Sequence, residues 1–260
     1  MIKVNELFAG IGAFRKALER LNIPHEVAGI SEIDKYAIKS YEAIYGVTRN
    51  YGDISKVAKL DYADLWTYGF PCQDISQAGN QAGIIKGKTR SGLLYEVERL
   101  LTVAAEHGEL PKYLILENVK NLVCKKFIKQ FEAWLACLDE LGYNTYWQLI
   151  NAKGCGIPQN RERVIAVSIR KDIDRGFTFP EPVFLKSFMC DFLEENVEEK
   201  YYISDAYVEE HVGRMSPDDT AVLKCKQIGF LRGGRWDKMH EQCRRVYSPE
   251  YLSPTLTTCM

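Results

Sequence analysis

The sequence predicts an α/β protein, a main domain built on a parallel sheet and followed by a second, smaller region. Three observations carry that reading. Over the first 170 residues, short apolar stretches alternate with stretches whose apolar residues recur at helical spacing. The helical stretches run to about ten residues or more, which implies βαβ units and hence parallel strands covered on both faces. After about Phe177 the alternation stops, and an acidic block from Asp191 to Asp219 gives way to a basic one from Lys224 to Arg245.

Each element follows from its residues. Val4 to Ala9 reads as a buried strand that runs into Gly10 and Gly12. Phe14, Ala17, Leu18 and Leu21 then form the stripe of an amphipathic helix, which Pro24 bars from continuing. Glu26 to Ser31 makes a second strand and Asp34 to Ile44 a second helix. Tyr62 to Gly69 is a further strand, followed by polar, glycine-bearing residues up to Gly92. Leu94, Val97, Leu101 and Ala104 mark the next helix, and Lys112 to Glu117 is a strand with the apolar centre of a parallel sheet. A helix over Phe127 to Leu141 and strands over Thr145 to Ile150 and Arg163 to Ile169 complete the set.

Composition narrows the function classes. A chain of 260 residues with 46% hydrophobic and 27% charged residues can bury a real core, and its net charge of −1 gives no bulk positive field. A local basic patch would still suffice for nucleic acid, and Gly229, Gly233 and Gly234 in the basic block suit close backbone approach to a phosphate. No apolar run approaches the roughly 18 residues that span a bilayer, so no membrane is expected. The eight cysteines include no Cys-x-x-Cys pair, which argues against structural zinc and for reduced thiols in a cytoplasmic protein.

Four stretches carry chemistry. Phe8-Ala9-Gly10-Ile11-Gly12 lies where the first strand turns into a helix, and glycines there let a nucleotide-type ligand approach the backbone. Glu32 follows twenty residues after Gly12, a spacing that suits a carboxylate on ribose hydroxyls. A nicotinamide-binding fingerprint would want a third glycine where this chain has Arg15, and a tight turn without any ligand is the plain alternative. Gly69-Phe70-Pro71-Cys72-Gln73 ends another strand. A lone cysteine is more often a small buried hydrophobe than a nucleophile, but Cys72 has polar Gln73, Asp74 and Ser76 after it. Glu117-Asn118-Val119 ends a third strand, where a carboxylate is commonly solvated or a cap. Gln159-Asn160-Arg161-Glu162-Arg163 precedes the last strand and would mean little as a surface turn.

Together, and in this order, the four stretches resemble the motifs of the cytosine-5 methyltransferases. The resemblance covers residues 1–170 and reappears at Arg245-Val246-Tyr247-Ser248 and Ser253-Pro254-Thr255-Leu256-Thr257. It implies a Rossmann-like, S-adenosylmethionine-dependent sheet over residues 1–176 and a partial target-recognition region over 177–260. Cys72 matches the nucleophile that adds to C6 of cytosine and so makes C5 reactive. Glu117 matches the acid at N3 and the exocyclic amine, and Arg163 the residue on O2, with Arg161 beside it. Phe8, Gly10 and Gly12 match the cofactor pocket, Glu32 the ribose ligand with Ile33 next to it, and Asp53 with Ile54 the adenine contacts; Leu93 would close over the cofactor. The base must be flipped out of the duplex to be reached. Ser76 to Gly92, with Lys86, Lys88 and Arg90, matches the loop that shuts over it and touches phosphates.

The resemblance favours DNA over tRNA, because the tRNA-methylating members show Pro-Pro-Cys-Gln and Cys-Phe-Thr, whereas this chain has Phe70-Pro71-Cys72-Gln73 and no such tripeptide. Two departures stand out. Glu6 replaces the usual Asp at the end of the first strand, and the family's last two motifs do not precede Met260. That second departure raises two alternatives: a catalytically silent binding subunit, or one part of a split enzyme whose second chain supplies the missing motifs. Either way the chain by itself is expected to be a poor enzyme. A phage or restriction–modification origin suits its size.

Overall fold

The computed structural model describes residues 1–72, 75, 83–85, 87–201, 204, 206, 212–214, 227–231, 245–247 and 253–254. Two units are distinguished: residues 1–149 with 163–179, and residues 150–162 with 180–260.

In the first unit, β1 (Ile2–Leu7) buries Val4, Asn5, Glu6 and Leu7 in succession, as a strand inside a covered sheet does. It leads into α1 (Ala13–Arg20), then β2 (His25–Ser31) and α2 (Lys35–Tyr45). The α2 start is set by Asp34, whose carboxylate accepts the backbone N–H groups of Tyr36 and Ala37 at 2.8 and 2.9 Å. β3 (Leu65–Tyr68), α3 (Leu94–Glu106), β4 (Tyr113–Val119), α4 (Ile128–Glu140) and β5 (Tyr143–Asn151) follow. After the short β6 (Gln159–Asn160) of the second unit, β7 (Glu162–Arg170) returns to the main sheet.

The six-stranded sheet has the order β2-β1-β3-β4-β7-β5. β1 pairs in parallel with both β2 and β3, and β3 in parallel with β4, but β7 runs antiparallel to β4. The expectation of a parallel sheet is corrected at that strand. Only a 3-10 turn (Ala152–Cys155) lies between β5 and β6, so no crossover helix of the kind that makes strands parallel leads into β7.

One core holds the unit together. Val97, Leu101 and Ala104 of α3 and Phe131, Trp134 and Leu138 of α4 pack with Leu7, Tyr68, Leu116 and Val164 of the sheet. Each buried leucine or valine contributes about 1.5–3 kcal/mol relative to an exposed one. Two buried polar tips answer each other: the Trp134 indole N–H donates to the Tyr68 hydroxyl at 3.2 Å.

The second unit carries small sheets. β8 (Val212–Arg214), β9 (Gln227–Leu231) and β10 (Arg245–Tyr247) form an antiparallel set in the order β10-β9-β8, and β11 (Ser253–Pro254) pairs in parallel with β6. None of β8 to β11 was expected from the sequence.

Candidate functional site

Strand register lines up the chemistry. Leu7 of β1 pairs with Ser31 of β2 on one side and Tyr68 of β3 on the other, and Tyr68 pairs with Leu116 of β4. The next residues along these four strands are Glu32, Phe8, Gly69 and Glu117. They therefore stand in a row along the carboxyl edge. With neighbouring strands about 4.8 Å apart, Glu32 and Glu117 are about 14 Å apart across the row. Between β1 and β3 the strand order reverses direction, the switch point where open α/β sheets hold ligands.

At the β1 end, the chain turns sharply. Phe8 takes φ 58°, a left-handed conformation rare for a bulky residue, and its N–H donates to the Ser31 carbonyl at 2.8 Å. Gly12, at φ 80°, could not carry a side chain even without that constraint, because a Cβ would lie 2.7 Å from the Tyr41 ring. The Tyr45 hydroxyl donates to its carbonyl at 2.7 Å. A Cβ on Gly10, by contrast, would meet nothing within 4 Å, so the loop is open on that side.

Glu6, one residue before the strand ends, is 1% exposed and caps α1 from below. It accepts the Arg15 N–H at 3.1 Å and the Tyr41 hydroxyl at 2.5 Å. Burial pushes its carboxyl above the usual range, against the pull of those two hydrogen bonds and of the Arg15 charge.

Glu32 is clamped by backbone. It accepts the N–H groups of Gly10 at 2.8 Å, Ile33 at 2.8 Å and Asp34 at 2.9 Å. Asn50 holds its main chain from the other side, accepting the Glu32 N–H and donating to its carbonyl. Ile33 is 71% exposed beside it. Asp53 accepts the N–H and hydroxyl of Ser55, which hold its carboxyl below the usual range. Ile54 is buried in the core, with its carbonyl accepting from Arg99 at 3.2 Å. Carboxylates for hydroxyls, exposed Ile11 and Ile33 for a ring, and an open turn at Gly10 make a donor set that fits a nucleoside-bearing group.

The other end of the row belongs to Cys72 and Glu117. Cys72 is half-buried and packs against the core, and its carbonyl accepts the Ile75 N–H at 3.0 Å. Two side chains fix the backbone before it. Buried Asn118 donates to the Phe70 carbonyl at 3.0 Å, and buried Ser91 donates to the Pro71 carbonyl at 2.7 Å. Glu117 Oε1 forms an ion pair with Arg163 Nε at 2.8 Å, while Oε2 lies against Gly69, 3.5 Å from where a Cβ would be. Arg163 opposes Val119 in the antiparallel β4–β7 ladder, so it is a diagonal neighbour of Glu117 on one face. The Arg163 guanidinium therefore faces Glu117 across the ladder.

The remaining expected residues divide. Leu93 packs partly buried against the core, and Lys88 and Arg90 are exposed. Thr89 organises their turn, donating to the Gly83 carbonyl and accepting the Ile85 N–H, each at 2.9 Å. Ser76 and Lys86 lie outside the described residues. Arg161 belongs to the second unit, where its carbonyl accepts the Ala152 N–H at 2.9 Å. Sequence reasoning passed over Asn50, Ser91, Tyr41 and Tyr45. Only Ser91 carried a signal, as the polar residue of a Thr-Arg-Ser-Gly turn.

Among the described residues no cluster could hold a metal ion, and no helix is long and apolar enough to cross a membrane. Comparison with known proteins is consistent across sequence and structure. The family model for C-5 cytosine-specific DNA methylase matches residues 2–259. The type II methyltransferase M2.ScrFI of Lactococcus lactis subsp. cremoris is 38% identical over 264 residues, covering 80% of this chain and 72% of that protein. The orphan methyltransferase M.SPBetaI of Bacillus phage SPbeta is 34% identical over 322 residues, covering 99% of this chain and 71% of its own length. That alignment is longer than this chain, so the phage protein has extra residues inside the matched stretch. The S. pombe Dnmt2 methyltransferase structure superimposes with a TM-score of 0.63 at 22% identity, over 81% of this chain and 66% of that one, a likeness of fold.

Proposed function

The chain belongs to the C-5 cytosine-specific DNA methylase family, and on that premise we propose that it methylates C5 of cytosine in DNA through a covalent Cys72 adduct. The observation that carries this reading is the row of strand ends. One end presents a clamped carboxylate beside an open backbone turn, and the other presents a thiol loop beside a carboxylate–guanidinium pair.

The cofactor end takes S-adenosylmethionine, held by Glu32 and Asp53 on hydroxyl and amine groups, by the Phe8–Gly12 turn, and by Leu93 from above. S-adenosylmethionine, when bound, supplies an electrophilic methyl group. The Cys72 thiolate adds to C6 of the flipped-out cytosine, and the ring electrons become available at C5. As that bond forms, Glu117, protonated on Oε2, donates that proton to N3 and neutralises the charge placed on the ring. Arg163 keeps Glu117 oriented and reaches O2 of the base, with Arg161 in the same motif. After methyl transfer, solvent water takes the C5 proton, the C5–H electron pair re-forms the C5–C6 double bond, and the C6–S bond breaks to release the Cys72 thiolate.

Replacing the nucleophile tests the scheme directly. Cys72→Ser should abolish transfer of labelled methyl to DNA while calorimetry shows S-adenosylmethionine affinity within a few-fold of the unsubstituted chain. DNA bearing 5-fluorocytosine should trap the unsubstituted chain as a covalent complex, because fluorine at C5 cannot leave as a proton. Turnover by Cys72→Ser, or an active preparation that forms no adduct, would overturn the mechanism.

A further inference from the structure

From Asn118 to Phe131 the chain carries Lys120, Lys125, Lys126 and Lys129 and no acidic residue, within a protein whose net charge is −1. All four lysines are exposed. The segment beneath them is fixed, since Leu122 and Phe127 are buried in the core. It also begins one strand residue after Asn118, at the carboxyl edge that presents Glu117.

Two further features set this patch apart from an ordinary solvated face. Lys125 and Lys126 precede α4 and Lys129 lies in its first turn, where the helix dipole disfavours cations and where this helix has no acidic residue. Helix-end electrostatics therefore disfavours Lys125 and Lys129 there, while Lys126 Nζ lies over the Phe127 ring at 5.1 Å. The patch is also tied to the segment that carries Lys88 and Arg90. The Ile84 N–H donates to Gln130 Oε1 at 3.1 Å, and Gly83 sits against the Phe127 ring. The two basic segments thus meet beside the row of strand ends.

We propose that Lys125, Lys126 and Lys129 form a further binding surface for the DNA backbone, gripping phosphates on the flank of the α4 entry. The inference rests on the reading of the chain as a DNA methyltransferase and adds a surface that the family motifs do not include. It carries no sequence information, because groups that touch phosphate position a duplex and leave base readout to others.

The test is the salt dependence of binding to a labelled DNA duplex, between about 50 and 200 mM salt. Lys125→Gln/Lys126→Gln/Lys129→Gln should weaken binding alike on unrelated sequences and flatten the log–log salt slope by about 0.9 for each phosphate no longer neutralised. The matching triple Lys→Arg variant should keep the slope, and S-adenosylmethionine affinity should be unchanged in both. A charge control comes from the opposite edge of the sheet: Lys112→Gln/Lys171→Gln should leave the slope within about 0.3 of the original, well below the value for one phosphate. An unchanged slope in the triple Gln variant, or an equal flattening in the control, would overturn the proposal. If the unsubstituted chain still traps 5-fluorocytosine DNA in that case, the methyltransferase reading stands. If it neither traps nor binds DNA, both fall.

Discussion

Glu32 and Glu117 occupy equivalent places, each the first residue beyond the same row of strand pairings, yet they are held in opposite ways. Backbone N–H groups of three residues converge on Glu32, and they cannot withdraw without unfolding the turn. Among the described residues Glu117 is held by one side chain, Arg163, through one oxygen. A carboxylate offers about four acceptor positions. Glu32 has three of them taken by fixed donors, which leaves room for about one more strong hydrogen bond. Among the described residues the second oxygen of Glu117 lies outside that ion pair, as the proposed role of answering charge on a substrate ring would require. The backbone makes an anchor, and the side-chain pair makes a working group.

The sharpest way to break that contrast is at Glu117. Glu117→Gln keeps the shape but removes the charge facing Arg163 and the capacity to share a proton with N3. Methyl transfer should fall by about 10²–10⁴-fold in kcat, the range for losing a positioned acid–base group. S-adenosylmethionine affinity should stay within a few-fold, since the residues proposed to hold the cofactor lie at the far end of the row. A variant with near-normal kcat would show that Oε2 is a bystander.

The same reasoning bounds the effect at Glu32. If only one acceptor position remains for a ribose hydroxyl, Glu32→Ala should weaken S-adenosylmethionine by one charge-assisted hydrogen bond, about 1.5–3 kcal/mol or about 10- to 150-fold. Calorimetry that finds unchanged affinity would remove Glu32 from the pocket. A loss far beyond that range would mean that the Phe8–Gly12 turn had collapsed with its clamp. Limited proteolysis of the variant separates the two, because a collapsed turn exposes new cleavage sites near Gly10.

These interactions also mark where the sequence stops being legible. α3 could be read because Val97, Leu101 and Ala104 recur with the helical period and face one core. The strand-end stretches carrying Glu32, Cys72 and Glu117 could be placed because strands pointed to them. The groups that fix those side chains could not. Asn50 reaches Glu32 from 18 residues away and Ser91 reaches Pro71 from 20, and a side chain bonding to distant backbone leaves no period behind. The Gln159–Arg163 run read as one motif, yet Arg163 belongs to the first unit and the residues before it to the second. The antiparallel sense of β7 was hidden for a related reason: it depends on the lack of a helix in the preceding segment rather than on any feature of Arg163 to Ile169 themselves. β8 and β10 are three residues long, too short for alternation to register.

The smallest effect concerns Glu6, the third carboxylate at this edge and the one that is buried outright. Its folded-state carboxyl is raised by burial, so between the unfolded value near pH 4.3 and the folded one the native chain binds more protons than the unfolded chain. Stability must then fall as pH rises through that window. The charge penalty is absent below the unfolded value and complete above the folded one. Glu6→Gln removes the titration while keeping an oxygen for the Arg15 N–H. It disturbs the hydrogen bond from Tyr41, so its absolute stability relative to the unsubstituted chain depends on two opposed effects. The slope does not. On raising the pH from about 4 to 8, the unsubstituted chain should lose stability relative to Glu6→Gln, so that the difference in Tm moves steadily in favour of the variant. Parallel Tm–pH curves for the two proteins would mean that the hydrogen bonds from Tyr41 and Arg15 cancel the cost of burial. Glu6 would then sit at its ordinary ionisation despite being closed off from water.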